Sequence, residues 1–154
     1  MPLTLRKATL ADSAILLAWR NDPDVIATSA SGRGVTQAEH EAWFIKTLTD
    51  CTVHVYLADW LDDYLRVTGC GMGRINEEAG VAVLSYSIAK EWRGQQFGHH
   101  LVGALVQQAY ELGYTSIQAV SRHSNTASIR ALLSQGFQIK QAELLELRHK
   151  QKQR

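Results

Sequence analysis

The residues Arg93-Gly94-Gln95-Gln96-Phe97-Gly98-His99 stand between a segment of strand-like alternation and one of helical period. A glycine-bearing loop that opens a helix turns several free backbone N–H groups toward one point, and the positive end of the helix dipole adds to their pull. Pyrophosphate is the natural ligand of such a loop, and an ordinary turn with two glycines is the plainer alternative. Downstream, Asn125 and Ser128 are three residues apart, so amide and hydroxyl fall on the same side of a helix's first turn. Asn125 is also a good N-cap and Gly136 a good C-cap, and capping alone could account for both. Cys51 and Cys70 form no CxxC pattern and read as reduced, packed thiols. No metal site is expected.

These residues need elements to position them. Leu3 to Ala8 alternates as a first strand. Asp12 reads as the N-cap of a helix carrying Ile15, Leu16 and Trp19, which Asn21-Asp22-Pro23 ends. Thr36-Gln37-Ala38-Glu39 is a capping-box signature, and behind it His40, Trp43, Phe44 and Leu48 share one helix face. Three strands follow, Thr52 to Asp59, Leu65 to Ile75 and Val81 to Ala89, with turns at Asp62-Asp63 and at Asn76 to Gly80, a pattern of antiparallel hairpins. The period then changes. Gly98, Leu101, Val102, Leu105, Ala109 and Leu112 recur at helical spacing up to the stop at Gly113. Ser116 to Ser121 is a short strand, Asn125 to Gln135 a helix and Gln138 to Gln141 a strand. From Ala142 to Arg154 the chain fits strand or helix, with a polar tail from about residue 149. The order predicts an α/β (α+β) fold with a mixed sheet.

The glycine loop resembles the acyl-CoA pyrophosphate loop of the GNAT superfamily of N-acetyltransferases, whose pattern is Q/R-x-x-G-x-G/A. Arg93 matches the first position and Gly98 the last. Gln96 stands where the middle glycine is usual, and a non-glycine there still offers its N–H at negative φ. Ser124-Asn125-Thr126-Ala127-Ser128, running on to Gly136-Phe137, is similar to the superfamily's N-x-x-S…G-F segment. The resemblance covers roughly residues 3 to 141. It implies the GNAT fold, a mixed central sheet with splayed parallel strands and helices on both faces, and one acetyltransferase domain over residues 1–154. It implies acetyl-CoA as cosubstrate, held by Tyr86, Ser87 and Ile88, by Arg93, Gly94, Gln95, Gln96, Phe97, Gly98 and His99, and by Asn125 and Ser128. The tyrosine that serves many relatives as acid is Leu132 here, and the usual glutamate positions hold Val83 and Val120. Ser128 by similarity, and Tyr86, are therefore the catalytic candidates, with His54, His123 or a water relay as alternatives.

A narrower resemblance lies nearer the N-terminus. Trp19-Arg20-Asn21-Asp22-Pro23-Asp24-Val25 and Glu39-His40-Glu41-Ala42-Trp43-Phe44 are similar to acetyltransferases of nucleotide-linked aminodeoxy sugars, while Asn125-x-x-Ser128 resembles the ribosomal-protein N-terminal acetyltransferases. This implies Arg20, Asn21, His40 and Trp43 as acceptor residues around the small polar stretch Ser29 to Gly34, with packing roles as the alternative. The expected function is acetyl transfer to a primary amine of a small molecule, an aminodeoxy-sugar nucleotide being favoured. Peptide N-terminal acetylation and a CoA-binding module without catalysis are the rivals.

The bulk numbers agree with an enzyme of this kind. A chain of 154 residues with 45% hydrophobic residues can bury a sizeable core. A net charge of +1 gives no footprint for nucleic acid or an anionic membrane. The N-terminus lacks the long apolar stretch of a signal peptide and the isolated thiols fit a reduced cytosol, so a cytoplasmic location is expected, with the protein a monomer or a homodimer.

Overall fold

The computed structural model describes residues 3–121, 125–141 and 144–148. His123 and the polar tail from residue 149 lie outside them. The strands are β1 (Leu3–Lys7), β2 (Val53–Leu61), β3 (Val67–Glu78), β4 (Val81–Ile88), β5 (Ser116–Val120), β6 (Gln138–Gln141) and β7 (Leu144–Arg148). They form one sheet in the order β1-β2-β3-β4-β5-β7-β6. Within the segment that fitted either strand or helix, Leu144–Arg148 is a strand, and it inserts between β5 and β6, antiparallel to both.

One pair is parallel, β4 with β5, and it is short. It holds at Ala82↔Ile117, Val83↔Gln118 and Leu84↔Ala119. Beyond Leu84, β4 runs on to Ile88 still paired to β3, with Gly71 opposite Ile88. The two parallel strands part there, and a gap opens between them at the level of Tyr86, Ser87 and Ile88.

Helices cover both faces of the sheet. α1 (Ser13–Arg20) and α3 (Gln37–Thr49) lie on one, α4 (Phe97–Glu111) and α5 (Thr126–Ser134) on the other. The alternation along β2 follows from this. Val55 and Leu57 join Ala8, Leu16 and Phe44 in one core, while Tyr56 and Ala58 join Leu101, Leu105, Ile117 and Leu132 in the other. Each fully buried leucine or isoleucine contributes about 1.5–3 kcal/mol. α4 crosses β3 closely because Gly73 lacks a side chain; a Cβ there would stand 2.5 Å from Leu105 Cδ2.

Three local expectations are corrected. Asp12 sits where the cap of α1 would be but makes no cap hydrogen bond to it. Its carboxylate accepts instead from the Thr9 N–H at 2.8 Å and from Arg6 at 2.8 and 2.9 Å, and Arg6 also donates to Asp59 at 2.8 Å. A charged fork within reach outcompetes a single capping N–H. Asn21-Asp22-Pro23 ends α1 but also starts a further helix, α2 (Pro23–Thr28), in which Asp22 accepts from the Asp24 N–H at 2.9 Å and Pro23 takes the first helical position. The turn expected from Asn76 to Gly80 contracts to Ala79-Gly80, with φ of 51° and 79°, so β3 extends to Glu78. Two positive φ values match the twist of a tight hairpin. Among the described residues, no helix is long and apolar enough to cross a membrane.

Candidate active site

The gap between β4 and β5 opens into a cavity of about 810 Å³. Four elements wall it: the end of β4, the loop into α4 with that helix's first turn, α5 along its length, and α2. Of the residues assigned to the cofactor from sequence, Tyr86, Ser87, Ile88, Arg93, Gly94, Gln96, Phe97, Gly98, His99, Asn125 and Ser128 line this one space. Gln95 does not; its amide donates to the Glu91 carbonyl at 3.3 Å on the outside of the loop.

The loop holds its shape through two left-handed residues, Gly94 at φ 76° and Gln96 at φ 65°. The negative φ expected at Gln96 is therefore not what the chain adopts. Gln96 is the N-cap of α4, and a non-glycine residue in this conformation costs about 1–2 kcal/mol. Alternating left-handed residues before a helix bring successive N–H groups to one side, and the first turn of α4 adds N–H groups that have no intrahelical partner. Gly98 keeps the cavity floor thin, since a Cβ there would lie 3.4 Å from the Ala131 Cβ of α5.

Arg93 ties the loop to its surroundings. Its Nε donates to the Ile88 carbonyl at 3.0 Å, and its two terminal nitrogens reach Asp22 at 3.1 Å and Asp24 at 2.8 Å. The Asp22 carboxyl is held below its ordinary range by the Asp24 N–H first and by Arg93 after it. This pairing places Asp24, Val25 and Thr28 of α2 along the cavity. Sequence reasoning missed them because a contact spanning about seventy residues leaves no local mark. The Asp-Pro step that starts α2 is the signal that was readable.

On α5, the Asn125 side chain caps the helix, accepting from the Ser128 N–H at 3.2 Å. The Tyr86 hydroxyl lies 2.9 Å from Ser128 Oγ. Burial raises the Tyr86 phenol above its ordinary value, and its bond to Ser128 offsets part of that rise. Leu132 is sealed in the core at 1% exposure, and Ala131 and Ser134 take the cavity side instead. Ser134 Oγ donates to the Ala131 carbonyl at 2.6 Å and lies 2.6 Å from His99 Nδ1, which the Gln135 amide nitrogen also approaches at 3.2 Å. The small residues Ser128, Ala131 and Ser134 recur three apart, a spacing that could have marked this face.

The acceptor candidates lie away from the cavity lining. Arg20 donates to the Arg33 carbonyl at 3.2 Å, and Asn21 clamps Val35, giving to its carbonyl at 2.8 Å and accepting from its N–H at 2.7 Å. Both hold the stretch that follows α2. His40 is buried and stacks on Phe44, while Trp43 is 38% exposed on the α3 face. His54, an alternative acid or base, lines a separate hollow of about 290 Å³ beside Lys7, Asp50 and Cys51, where burial first and Lys7 second lower its pKa.

Known proteins carry the same pattern. The acetyltransferase (GNAT) domain family matches residues 2–138. The uncharacterized N-acetyltransferase p20 of Bacillus licheniformis is 28% identical over 142 residues, covering 88% of this chain and 79% of that protein. An aminoglycoside acetyltransferase solved with coenzyme A superposes with a TM-score of 0.80 at 23% identity, over 95% of this chain and 94% of that one. Spermidine N-acetyltransferase from Vibrio cholerae, solved with CoA and spermine, does so with 0.80 at 15% identity, over 96% and 95%. The splayed parallel pair, the glycine loop opening α4 and the match over residues 2–138 together assign the chain to the GNAT family of acetyltransferases, with acetyl-CoA as cosubstrate.

Proposed function

We propose that the cleft transfers the acetyl group of acetyl-CoA to the primary amine of a small molecule, with an aminodeoxy-sugar nucleotide as the favoured acceptor. The observation that carries this reading is the convergence on one cavity of the splayed β4 end, the N-terminus of α4 and the Tyr86–Ser128 pair.

The cosubstrate supplies a thioester carbonyl already open to attack by an amine. The chain does the rest. In this reading the loop from Gly94 and the first turn of α4 receive the pyrophosphate, with Asn125 and Ser128 along the acyl arm. Backbone N–H groups of β4 that face the gap lack a ladder partner beyond Leu84, which leaves them for the acetyl oxygen as negative charge grows on it. The amine nitrogen bonds to the acetyl carbon as the carbon–sulfur bond breaks. One proton leaves the amine and one reaches the sulfur. Tyr86 and Ser128 carry two hydroxyl protons within one bonded unit, the Tyr86 hydroxyl lying 3.4 Å from the Ser128 carbonyl as well as 2.9 Å from Ser128 Oγ, and the proton that turns to the sulfur comes from this unit. Burial keeps the phenol protonated at neutral pH, which suits a donor and not a base. The free thiols Cys51 and Cys70 support a reducing, cytoplasmic setting, and the whole chain is read as one acetyltransferase domain.

Thiol release from acetyl-CoA, measured across aminosugar nucleotides, polyamines and peptides, tests the proposal. Saturable release with an aminosugar nucleotide is expected. Preference for a peptide moves the acceptor to a protein N-terminus. CoA binding with no release for any amine leaves a binding module.

A further inference from the structure

Arg74 is a cation in a place that does not compensate it. It lies on β3 between Val55 of β2 and Ser85 of β4, mostly buried. Its guanidinium sits 6.0 Å from the centre of the Trp43 ring. Its Nε is buried with no hydrogen-bond partner, and among the described residues no carboxylate stands at ion-pair distance from it. Glu78, four residues and about 13 Å along the same strand face, acts on it only at a distance, and burial disfavours the charge of Arg74. A guanidinium over an aromatic face gains some cation–π energy, but the desolvation of a charge calls for a hydrogen-bonded counter-charge.

The neighbourhood adds a second orphan. His40 is 3% exposed, and its Nε2 is also buried without a partner among the described residues. The His40 ring lies 5.8 Å from Trp43, so His40, Trp43 and Arg74 form one chain of contacts on the α3 face of the sheet. Asn76 Oδ1, two residues along β3, is a third buried polar atom without a partner. The surface stays open beside them, because Trp43 and Ser85 are exposed.

The register connects this cluster to the cleft. Arg74 is opposite Ser85 and Met72 is opposite Ser87, and Ser87 lines the cavity. Ser85 and Ser87 are two residues apart on one strand, about 7 Å at the usual rise. A group seated on Arg74 therefore lies beside the point where the strands part, and about one sugar ring from Ser87 in the gap.

We propose that Arg74 determines acceptor specificity by receiving an oxyanion, carboxylate or phosphate, of the amine substrate, whose nitrogen then reaches the gap beside Ser87. This rests on the acetyl-transfer reading and narrows it to amines that also carry negative charge. A guanidinium fork matches either oxyanion in two-point fashion. The same buried cation repels polycationic amines such as spermidine.

The test compares amines that share a ring and differ in charge: glucosamine 1-phosphate, 2-amino-2-deoxygluconate, neutral glucosamine and spermidine. Thiol release is followed in the parent, Arg74→Gln and Arg74→Lys, with CoA affinity and melting temperature as checks on folding. In the parent, one anionic arm is expected to exceed glucosamine by at least about tenfold in kcat/KM, and that arm names phosphate or carboxylate as the group received. Arg74→Gln should raise KM for that arm by about tenfold or more, leaving kcat and glucosamine turnover in place, with Arg74→Lys intermediate. Equal use of anionic and neutral amines by the parent, which needs no variant, overturns the proposal. So does a loss in Arg74→Gln that falls on all amines alike, or spermidine as the best acceptor. Turnover without charge preference defeats only the role of Arg74, whereas no turnover with any amine defeats the acetyl-transfer reading with it.

Discussion

Tyr86 and Ser128, forty-two residues apart, meet hydroxyl to hydroxyl at 2.9 Å and bridge the free end of β4 to the first turn of α5. Tyr86 follows Ala82 and Leu84 on the strand face that α4 and α5 cover, and β5 has stopped pairing with β4 at Leu84, so the Tyr86 hydroxyl meets α5 beside the opened gap. Two ordinary hydroxyls thereby occupy the mouth of the gap.

If the pair acts as one donor, its members are coupled. Ser128→Ala and Tyr86→Phe should each lower kcat by roughly tenfold or more, within the range of a positioned acid. The double variant should fall little below the worse single one, since either change breaks the same unit. CoA affinity should change little. Losses that multiply in full would mean the hydroxyls act independently.

Gln96 carries a conformation that glycine adopts without strain. Gln96→Gly should leave stability unchanged or raise it by up to about 1 kcal/mol, as relief of the left-handed backbone outweighs the entropy cost of glycine. Gln96→Val should lose at least about 1 kcal/mol, because a β-branched residue fits this conformation worst. Chemical denaturation of the three proteins checks it. A glycine variant clearly less stable than the parent would mean that the glutamine side chain holds the loop.

Much of this was legible in the sequence. Period and caps marked every helix except α2, and the glycine loop with its Asn125-x-x-Ser128 partner marked the cavity's two main walls. What stayed hidden depends on distant partners. Asp12 looked like a cap because a short acidic residue before a helix usually is one, and only the fold brings Arg6 to it. The φ of Gln96 is set by the path of the loop and not by the residue's own preference. Arg74 lies in a glycine-softened strand, where nothing local signals that no carboxylate among the described residues pairs with its charge.

Arg93 joins the cofactor loop to α2. Arg93→Gln should speed hydrogen exchange across Pro23–Thr28 and weaken CoA by about fivefold to thirtyfold, the equivalent of losing about 1–2 kcal/mol of charge-assisted bonding. Unchanged exchange in α2 would show that its packing, and not the ion pairs to Asp22 and Asp24, holds it over the cavity.

Asp12 makes stability depend on acid. Arg6 first, and the Thr9 N–H after burial is counted, lower its folded pKa, so its contribution is complete above the unfolded carboxylate value of about 3.9 and is lost as pH falls through the folded value. Asp12→Asn should cost about 1–2 kcal/mol at pH 7, the low end being set by the half-exposed Arg6. The gap to the parent should close below about pH 4. A gap that stays constant with pH would point to packing, not charge.

The central claim is that the loop before α4 receives the pyrophosphate of acetyl-CoA. Gly98→Asp tests it most directly. The added Cβ meets only the Ala131 methyl at 3.4 Å, so the fold should survive, while a carboxylate enters the place assigned to the phosphates. Calorimetric titration of CoA into the parent and into Gly98→Asp, at matched melting temperatures, should give saturable binding in the first and at least about a hundredfold weaker binding in the second. Equal affinity in the two folded proteins would contradict the placement.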